Sequence, residues 1–306
     1  MALFVSLDGL QIVHSRTAVL EIFLSLFVLA AVLAFFPHLE AQEASPGRLA
    51  PASIVCGVFV GLAISTKWVA VLALVGMAVL TVLAAGPPNR RAALKVSAIT
   101  FVGIPMVIYV LSYSVTWFSG DTTPVEWVRR QLDIMKFHRE LDEPHDFASH
   151  PIGWPLMIRP VPYFWAVRPD GREFQILAVG NPALWWSFVV ALPALLVVWW
   201  RERNWTVEVV LAALVILWVP WLLVLRPQIF FYYLTPLVPF MALGIVWCLR
   251  ELTTRWRYGR AFTIAYTALV IVSAAVFMPI WLGLWISPEH LDRLLLFESW
   301  RFPGTG

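Results

Sequence analysis

Charge is scarce in this chain. Asp, Glu, Lys and Arg make up 13% of its 306 residues, against about 25% in a typical soluble domain, which excludes a water-soluble globular fold. The formal net charge is only +3, and the basic residues sit in short loops between apolar runs. That is the distribution of a membrane protein's loops rather than of a nucleic-acid-binding surface. Cysteine is nearly absent. Cys56 and Cys248 both fall in apolar segments, which excludes a disulfide framework and any Cys-spaced metal site, and reads as packing. The opening "MALFVSLDGLQIVHSR" turns polar before a full span is reached, so no cleavable leader is visible there.

What the chain has instead is hydrocarbon: 60% of its residues are hydrophobic, with a mean hydropathy of +0.78. Runs such as "TAVLEIFLSLFVLAAVLAFF" (17–36) and "FTIAYTALVIVSAAVFMPIWLGLW" (262–285) are long enough to cross about 30 Å of bilayer as helices. The fold class is an all-α polytopic membrane protein. About eight spans are expected, near 17–36, 51–66, 68–85, 96–115, 182–200, 206–225, 229–249 and 262–285. The stretch 51–85 is too long for one helix and is read as a tight pair broken at "STKW". The expected organisation is an N-terminal membrane part (1–115), an external loop of about 65 residues (116–181) and a four-span C-terminal part (182–306).

Orientation follows from Lys and Arg. "PPNRRAALK" (87–95), "RERN" (201–204) and "RELTTRWRYGR" (250–260) share one face under eight-span parity, which is then cytoplasmic. The external face collects "DGLQIVHSR" (8–16), "STKW", the loop 116–181, "RPQ" (226–228) and the C-terminal "SPEHLDRLLLFESW". In that last stretch the spacing of Leu291, Leu294, Leu295 and Trp300 suggests an interfacial helix. Within the loop, "PVEWVRRQLDIMKFHREL" (124–141) reads as an amphipathic surface helix with Val125, Val128, Leu132 and Met135 on its apolar side.

Charged residues at membrane depth need partners and point to function. Arg16 and Glu21 lie at the start of the first span, five residues apart and so off a common helical face. Lys67 falls between two apolar helices, and Arg226 precedes Pro227 at a helix N-terminus, a favourable place for anions. Three cations on one face suit a phosphate. The segment "FHRELDEPHDFASHPIGWPLMIRP" (137–160) holds His138, His145, His150 and a set of acids. Their spacing matches no compact metal motif, so no metal is assigned. Its second half, "WPLMIRPVPYF" (154–164), is expected to lie along the membrane surface.

Four stretches resemble the protein O-mannosyltransferases that use a polyprenyl-phosphate-linked mannose, in their actinobacterial form. They are "LDGLQIVHSRTAVLEIFL" (7–24), "GLAISTKWVAV" (61–71), "MKFHRELDEPHDFASHPIGWPLMIRPVPYF" (135–164) and "RPQIFFYYLTPLVPF" (226–240). The resemblance implies a GT-C-type glycosyltransferase architecture in the plasma (inner) membrane. It implies transfer of mannose to Ser or Thr hydroxyls of secreted proteins on the external face, with inversion, and no cofactor beyond the polyprenyl-phosphate-mannose donor. Expected partners are that lipid-linked donor, a secreted protein acceptor and the export machinery, not nucleic acid. On the same ground Arg16, Lys67 and Arg226 hold the carrier phosphate, and His138, His145, His150, Trp154 and Gln228 line the sugar or acceptor side. Two departures stand out. Glu21 occupies a position where the family carries Asp, and the family's acidic catalytic pair lies upstream of the Asp8-Gly9 motif, so the chain reads as a C-terminal two-thirds. Asp8 is the nearest remaining candidate base. Alternatives are another GT-C transferase acting on lipid or glycan, or a non-catalytic membrane subunit or transporter, against which the lack of an internal repeat argues.

Overall fold

The computed structural model describes residues 1–141, 143–224 and 227–302. The chain begins with two short helices, α1 (Ala2–Ser6) and α2 (Gly9–Thr17), followed by α3 (Leu20–Ala44), α4 (Pro51–Thr66), α5 (Val71–Ala84), α6 (Gly86–Leu111) and α7 (Pro124–Glu140). A two-stranded antiparallel sheet, β1 (Val161–Val167) with β2 (Glu173–Ala178), precedes α8 (Pro182–Glu202), α9 (Trp205–Leu222), α10 (Phe231–Arg255), α11 (Gly259–Leu282) and α12 (Pro288–Leu294). Among the described residues, six helices are long and apolar enough to cross a membrane: α3, α6, α8, α9, α10 and α11. Two shorter apolar helices, Pro51–Thr66 and Trp68–Ala84, stand where the sequence suggests a tight pair. The break between them is Lys67, extended at φ −159°, ψ 130°.

The compact units are drawn differently from the segments 1–115, 116–181 and 182–306. One unit joins residues 1–22 to 142–306, and the other comprises residues 23–141. In the second unit, Gly57 and Gly61 let α4 approach α6 closely. A Cβ on Gly57 would stand 2.5 Å from the Thr100 carbonyl oxygen, and one on Gly61 would stand 2.7 Å from Ile108 Cβ. This is the small-residue packing by which membrane helices associate. In α6 a π turn over Ile99–Gly103 precedes Pro105, whose ring and missing N–H disturb the regular ladder. His38 ties three helices together: Nδ1 meets Ser53 Oγ at 2.8 Å and Nε2 meets Thr81 Oγ1 at 3.1 Å. Thr81 gives its own proton to the Met77 carbonyl, so it accepts from His38 Nε2–H, and Ser53 donates to Nδ1. The surface helix α7 is present, opened by a Thr123/Glu126 capping box. Val125, Val128, Leu132 and Met135 are exposed, while Trp127 and Gln131 pack and bond against Tyr109 and Tyr113.

One local expectation is corrected in the first unit. The segment 154–164 does not lie flat as an apolar strip: Trp154 is buried, and Val161 onward forms a β-hairpin against Glu173–Ala178. Its turn carries Pro169, Asp170 and Gly171, the glycine at φ +79°, a turn signal visible in the sequence. The C-terminal helix is one-sided: Pro288, Glu289, His290, Asp292 and Arg293 are exposed while its leucines pack inward. Leu291, Leu294, Leu295 and Trp300 are all buried, and Trp300 Nε1 donates to the Met157 carbonyl at 2.7 Å.

Candidate functional site

The first unit is organised around α2. Asp8 caps that helix, its Oδ1 accepting from the backbone of Leu10 (3.1 Å) and Gln11 (3.4 Å). Its Oδ2 accepts from Asn181 N (3.0 Å) and Trp185 Nε1 (2.8 Å) at the start of α8. Asn181 completes the knot by donating its amide to the carbonyls of Leu7 (3.0 Å) and Val270 (3.1 Å). Gly9 is needed for the same approach: a Cβ there would lie 2.1 Å from the Val179 oxygen and 2.2 Å from the Trp281 ring. The Asp-Gly pair is thus a structural joint. Asp8 is fully buried with four donors on its carboxylate, and a general base needs an acceptor open to the substrate proton. The expected role of Asp8 as a base does not fit this geometry. Burial pushes its carboxyl up to about 6, with the hydrogen bonds from Asn181, Trp185, Gln11 and Leu10 pulling in the opposite direction.

Two polar side chains of α2, Gln11 and His14, reach a half-buried aromatic cluster. Thr235 Oγ1 donates to the Tyr232 carbonyl at 2.6 Å, so it accepts from His14 Nδ1–H at 3.0 Å. His14 Nε2 is left as the acceptor for the Tyr163 hydroxyl at 2.8 Å. Gln11 Nε2 donates to the Thr235 carbonyl at 3.0 Å. Burial first, then Tyr232, the Glu21 carboxylate and Tyr233, hold the Tyr163 phenol well above its ordinary range. It therefore remains a proton donor at neutral pH. Glu21, 4% exposed, sits in the first turn of α3. Ala18, in the left-handed region at φ 51°, ends α2, so Arg16 and Glu21 belong to separate helices. Arg16 is exposed and donates Nη1 to the Trp281 carbonyl at 3.1 Å, at the C-terminal end of α11. Two residues from His14, it leaves α2 on a different side.

Tyr163→Phe removes the hydroxyl that donates to His14 Nε2 at 2.8 Å in the core. The expected loss is about 1–3 kcal/mol, read as a thermal midpoint lowered by several degrees for the purified protein. An unchanged midpoint would show that the His14–Tyr163 bond carries no weight in the fold.

The remaining expected site residues are placed as follows. Two segments, 143–150 and 227–230, are clasped together: Gln228 Nε2 donates to the Glu143 carbonyl at 2.8 Å, and Ser149 N donates to the Ile229 carbonyl at 3.0 Å. His145 meets the Phe230 ring edge-on at 5.0 Å. His145 and His150 are exposed on this clasp, each accepting through Nδ1 from a backbone N–H two residues on. Trp154 is 1% exposed, its indole N–H satisfied by Ser149 and its ring packed near Trp221 and Tyr233. It is a pillar of the core with no face open to a sugar, which corrects its expected role. Lys67 and His138 belong to the second unit, Lys67 half-buried and His138 exposed on α7. Arg226 lies outside the described residues. The residues that sequence reasoning missed are His14, Tyr163, Tyr232 and Thr235. The signal available for His14 was a polar ring on the core side of a short helix.

The comparisons with known proteins cover almost the whole chain. Residues 1–117 match the family model described as dolichyl-phosphate-mannose-protein mannosyltransferase. Residues 125–300 match the model of the C-terminal four-transmembrane region of protein-O-mannosyltransferase. The polyprenol-phosphate-mannose–protein mannosyltransferase of Mycolicibacterium smegmatis is 26% identical, over 98% of this chain and 71% of that protein. Its namesakes from Mycobacterium tuberculosis and Corynebacterium glutamicum are each 27% identical, over 96% of this chain and 69% of theirs. Among solved structures, the Saccharomyces cerevisiae protein O-mannosyltransferase complex bound to the sugar donor shares the fold at a TM-score of 0.74. Its identity is 12%, over 93% of this chain and 74% of that one. That likeness shows the GT-C architecture. With both family models matched in order along an integral membrane chain, this protein belongs to the protein O-mannosyltransferase family of glycosyltransferases.

Proposed function

We propose that this chain transfers mannose from a polyprenyl-phosphate carrier to Ser or Thr hydroxyls of secreted proteins, at the external face of the plasma membrane. The observation that carries this reading is the match of its relatives over 96–98% of the chain, since they are named for that donor and for a protein acceptor. The buried His14–Tyr163–Thr235 network supports it, because polar groups enclosed in a membrane protein are costly without a task. In the reaction the acceptor oxygen bonds to the mannose C1 while the bond from C1 to the phosphate oxygen breaks, and the configuration inverts. The carrier leaves as polyprenyl phosphate with the electron pair, and the hydroxyl proton passes to a carboxylate. The hydrogen bonds that the fold makes to both Asp8 oxygens argue against Asp8 as that group.

Arg16 is the leading ligand for the carrier phosphate. Its anchor on the Trp281 carbonyl fixes a guanidinium whose remaining N–H groups form a fork suited to phosphate oxygens. On the sequence reading, Lys67 and Arg226 are further candidates for phosphate contact. The exposed His145, His150 and Gln228 region of the clasp is the candidate contact for sugar or acceptor. The test is transfer of radiolabelled mannose from the polyprenyl carrier by the full chain in vesicles. Label is expected on a Ser/Thr peptide and absent from its Ala counterpart. Label that appears in glycolipid alone would replace this reading with a lipid acceptor.

A further inference from the structure

Away from α2, the first unit opens a groove of about 550 Å³ between α8, α10 and α11, a volume in the range of binding pockets, about 300–1,000 Å³. Its walls are apolar: Val190 and Ala194 from α8, Ile245, Cys248 and Leu252 from α10, and Phe262 from α11. All three helices are membrane-crossing candidates, so what enters from the side is hydrocarbon. The groove is polar at one end, where Glu251 and Arg255 line it. There the helix ends converge. Arg255 bonds Glu251 at 2.8 Å and reaches Glu202 at 3.8 Å, and Thr253 Oγ1 meets Thr263 Oγ1 at 2.9 Å.

That mouth is basic in excess. Arg255 occupies both nearby acids, while Arg203 is taken up by Glu208 and the Trp199 ring. Arg201 is exposed one turn beyond Val198, on the groove-facing row of Val190, Ala194 and Val198. Arg250 and Arg260 are exposed on the neighbouring helix ends, and among the described residues none of the three is paired with a carboxylate. A basic rim above an apolar slot between spans has the chemistry of an anionic lipid site.

We propose that this groove binds one acyl chain of an anionic phospholipid, with the lipid phosphate held by the exposed arginines at its mouth. The occupant comes from the leaflet on the arginine-rich side, which the positive-inside rule makes cytoplasmic. It is thus distinct from the sugar donor expected at the opposite ends of the spans. The site rests on the membrane architecture and not on the sugar-transfer reading.

The test uses the full chain in vesicles of phosphatidylcholine with phosphatidylglycerol carrying a photoactivatable acyl chain. Cross-links are expected to concentrate on residues 190–198 and 245–252. They should fall about tenfold when the same acyl chain is carried by phosphatidylcholine, and by a similar factor in an Arg201→Glu variant. Ala194→Trp, which fills the slot, should abolish them while leaving cross-links elsewhere on the spans. Cross-linking spread evenly over all lipid-exposed helices would overturn the proposal, as would equal labelling by the neutral lipid. Displacement by unlabelled polyprenyl phosphate would also overturn it, by assigning the groove to the carrier's chain. The wild-type measurements decide the matter even if Ala194→Trp fails to fold.

Discussion

Asp8→Ala is expected to destabilise the protein by roughly 3–5 kcal/mol, the largest stability loss anticipated for any single site. The carboxylate is the common acceptor for two backbone N–H groups of α2, the Asn181 N–H and the Trp185 indole. Without it, four buried donors lose their partner and the joint between α2 and the start of α8 opens. Asp8→Asn keeps the shape but turns one oxygen into an NH2 that faces N–H donors, so an intermediate loss is expected. A thermal midpoint that stays at the wild-type value while turnover disappears would instead return Asp8 to the catalytic role. The same residue leaves a mark on pH dependence. Its folded-state pKa of about 6 lies above the unfolded value of about 3.9, so the folded state holds the proton more tightly. The contribution is fully present below about pH 4 and is lost as pH rises through about 6. It amounts to about 3 kcal/mol. Subtracting the Asp8→Asn profile from wild type isolates it, and equal slopes between pH 4 and 6 would refute the assignment.

Arg16→Ala should lower mannosyl transfer by about 10²–10³-fold, the usual effect of removing a donor aimed at developing charge. The fold should survive, because the side chain is exposed and makes a single hydrogen bond to Trp281, a net contribution of about 1 kcal/mol. Arg16→Lys keeps the charge but loses the fork, so part of the rate should return. Turnover equal to wild type in Arg16→Ala would remove Arg16 from the phosphate site. A collapse of the thermal midpoint would show instead that its task is to cap α11.

The spans were legible because their signal is cumulative. Each apolar run integrates over many residues, so its existence does not depend on any one contact. The observed helices overlap the eight expected runs, six of them, among the described residues, long and apolar enough to cross a membrane and two shorter, with ends moved by several residues: α3 begins at Leu20 because Ala18 breaks the chain, and α10 runs to Arg255. The α7 helix was equally plain from its proline start and apolar stripe. The hairpin at 161–178 was less so. Its strands are aromatic-rich, and an aromatic-rich strip next to a membrane reads as an interfacial segment unless the Pro169-Asp170-Gly171 turn is given weight.

Site residues followed a different logic. Asp8 and Trp154 stood out by type and by resemblance to a motif. Whether a carboxylate is open or occupied, and whether an indole is a platform or a pillar, depends on groups distant in sequence: Asn181 and Trp185 for the first, Trp221 and Tyr233 for the second. The network of His14, Tyr163 and Thr235 joins positions 14, 163 and 235, and no local periodicity encodes it. The sequence by itself determined the solvent, the number of apolar runs and the family, because hydropathy and motif order are properties of the chain. Only the tertiary structure decided which polar groups are satisfied within the fold and which remain available, because hydrogen-bond satisfaction is a property of contacts.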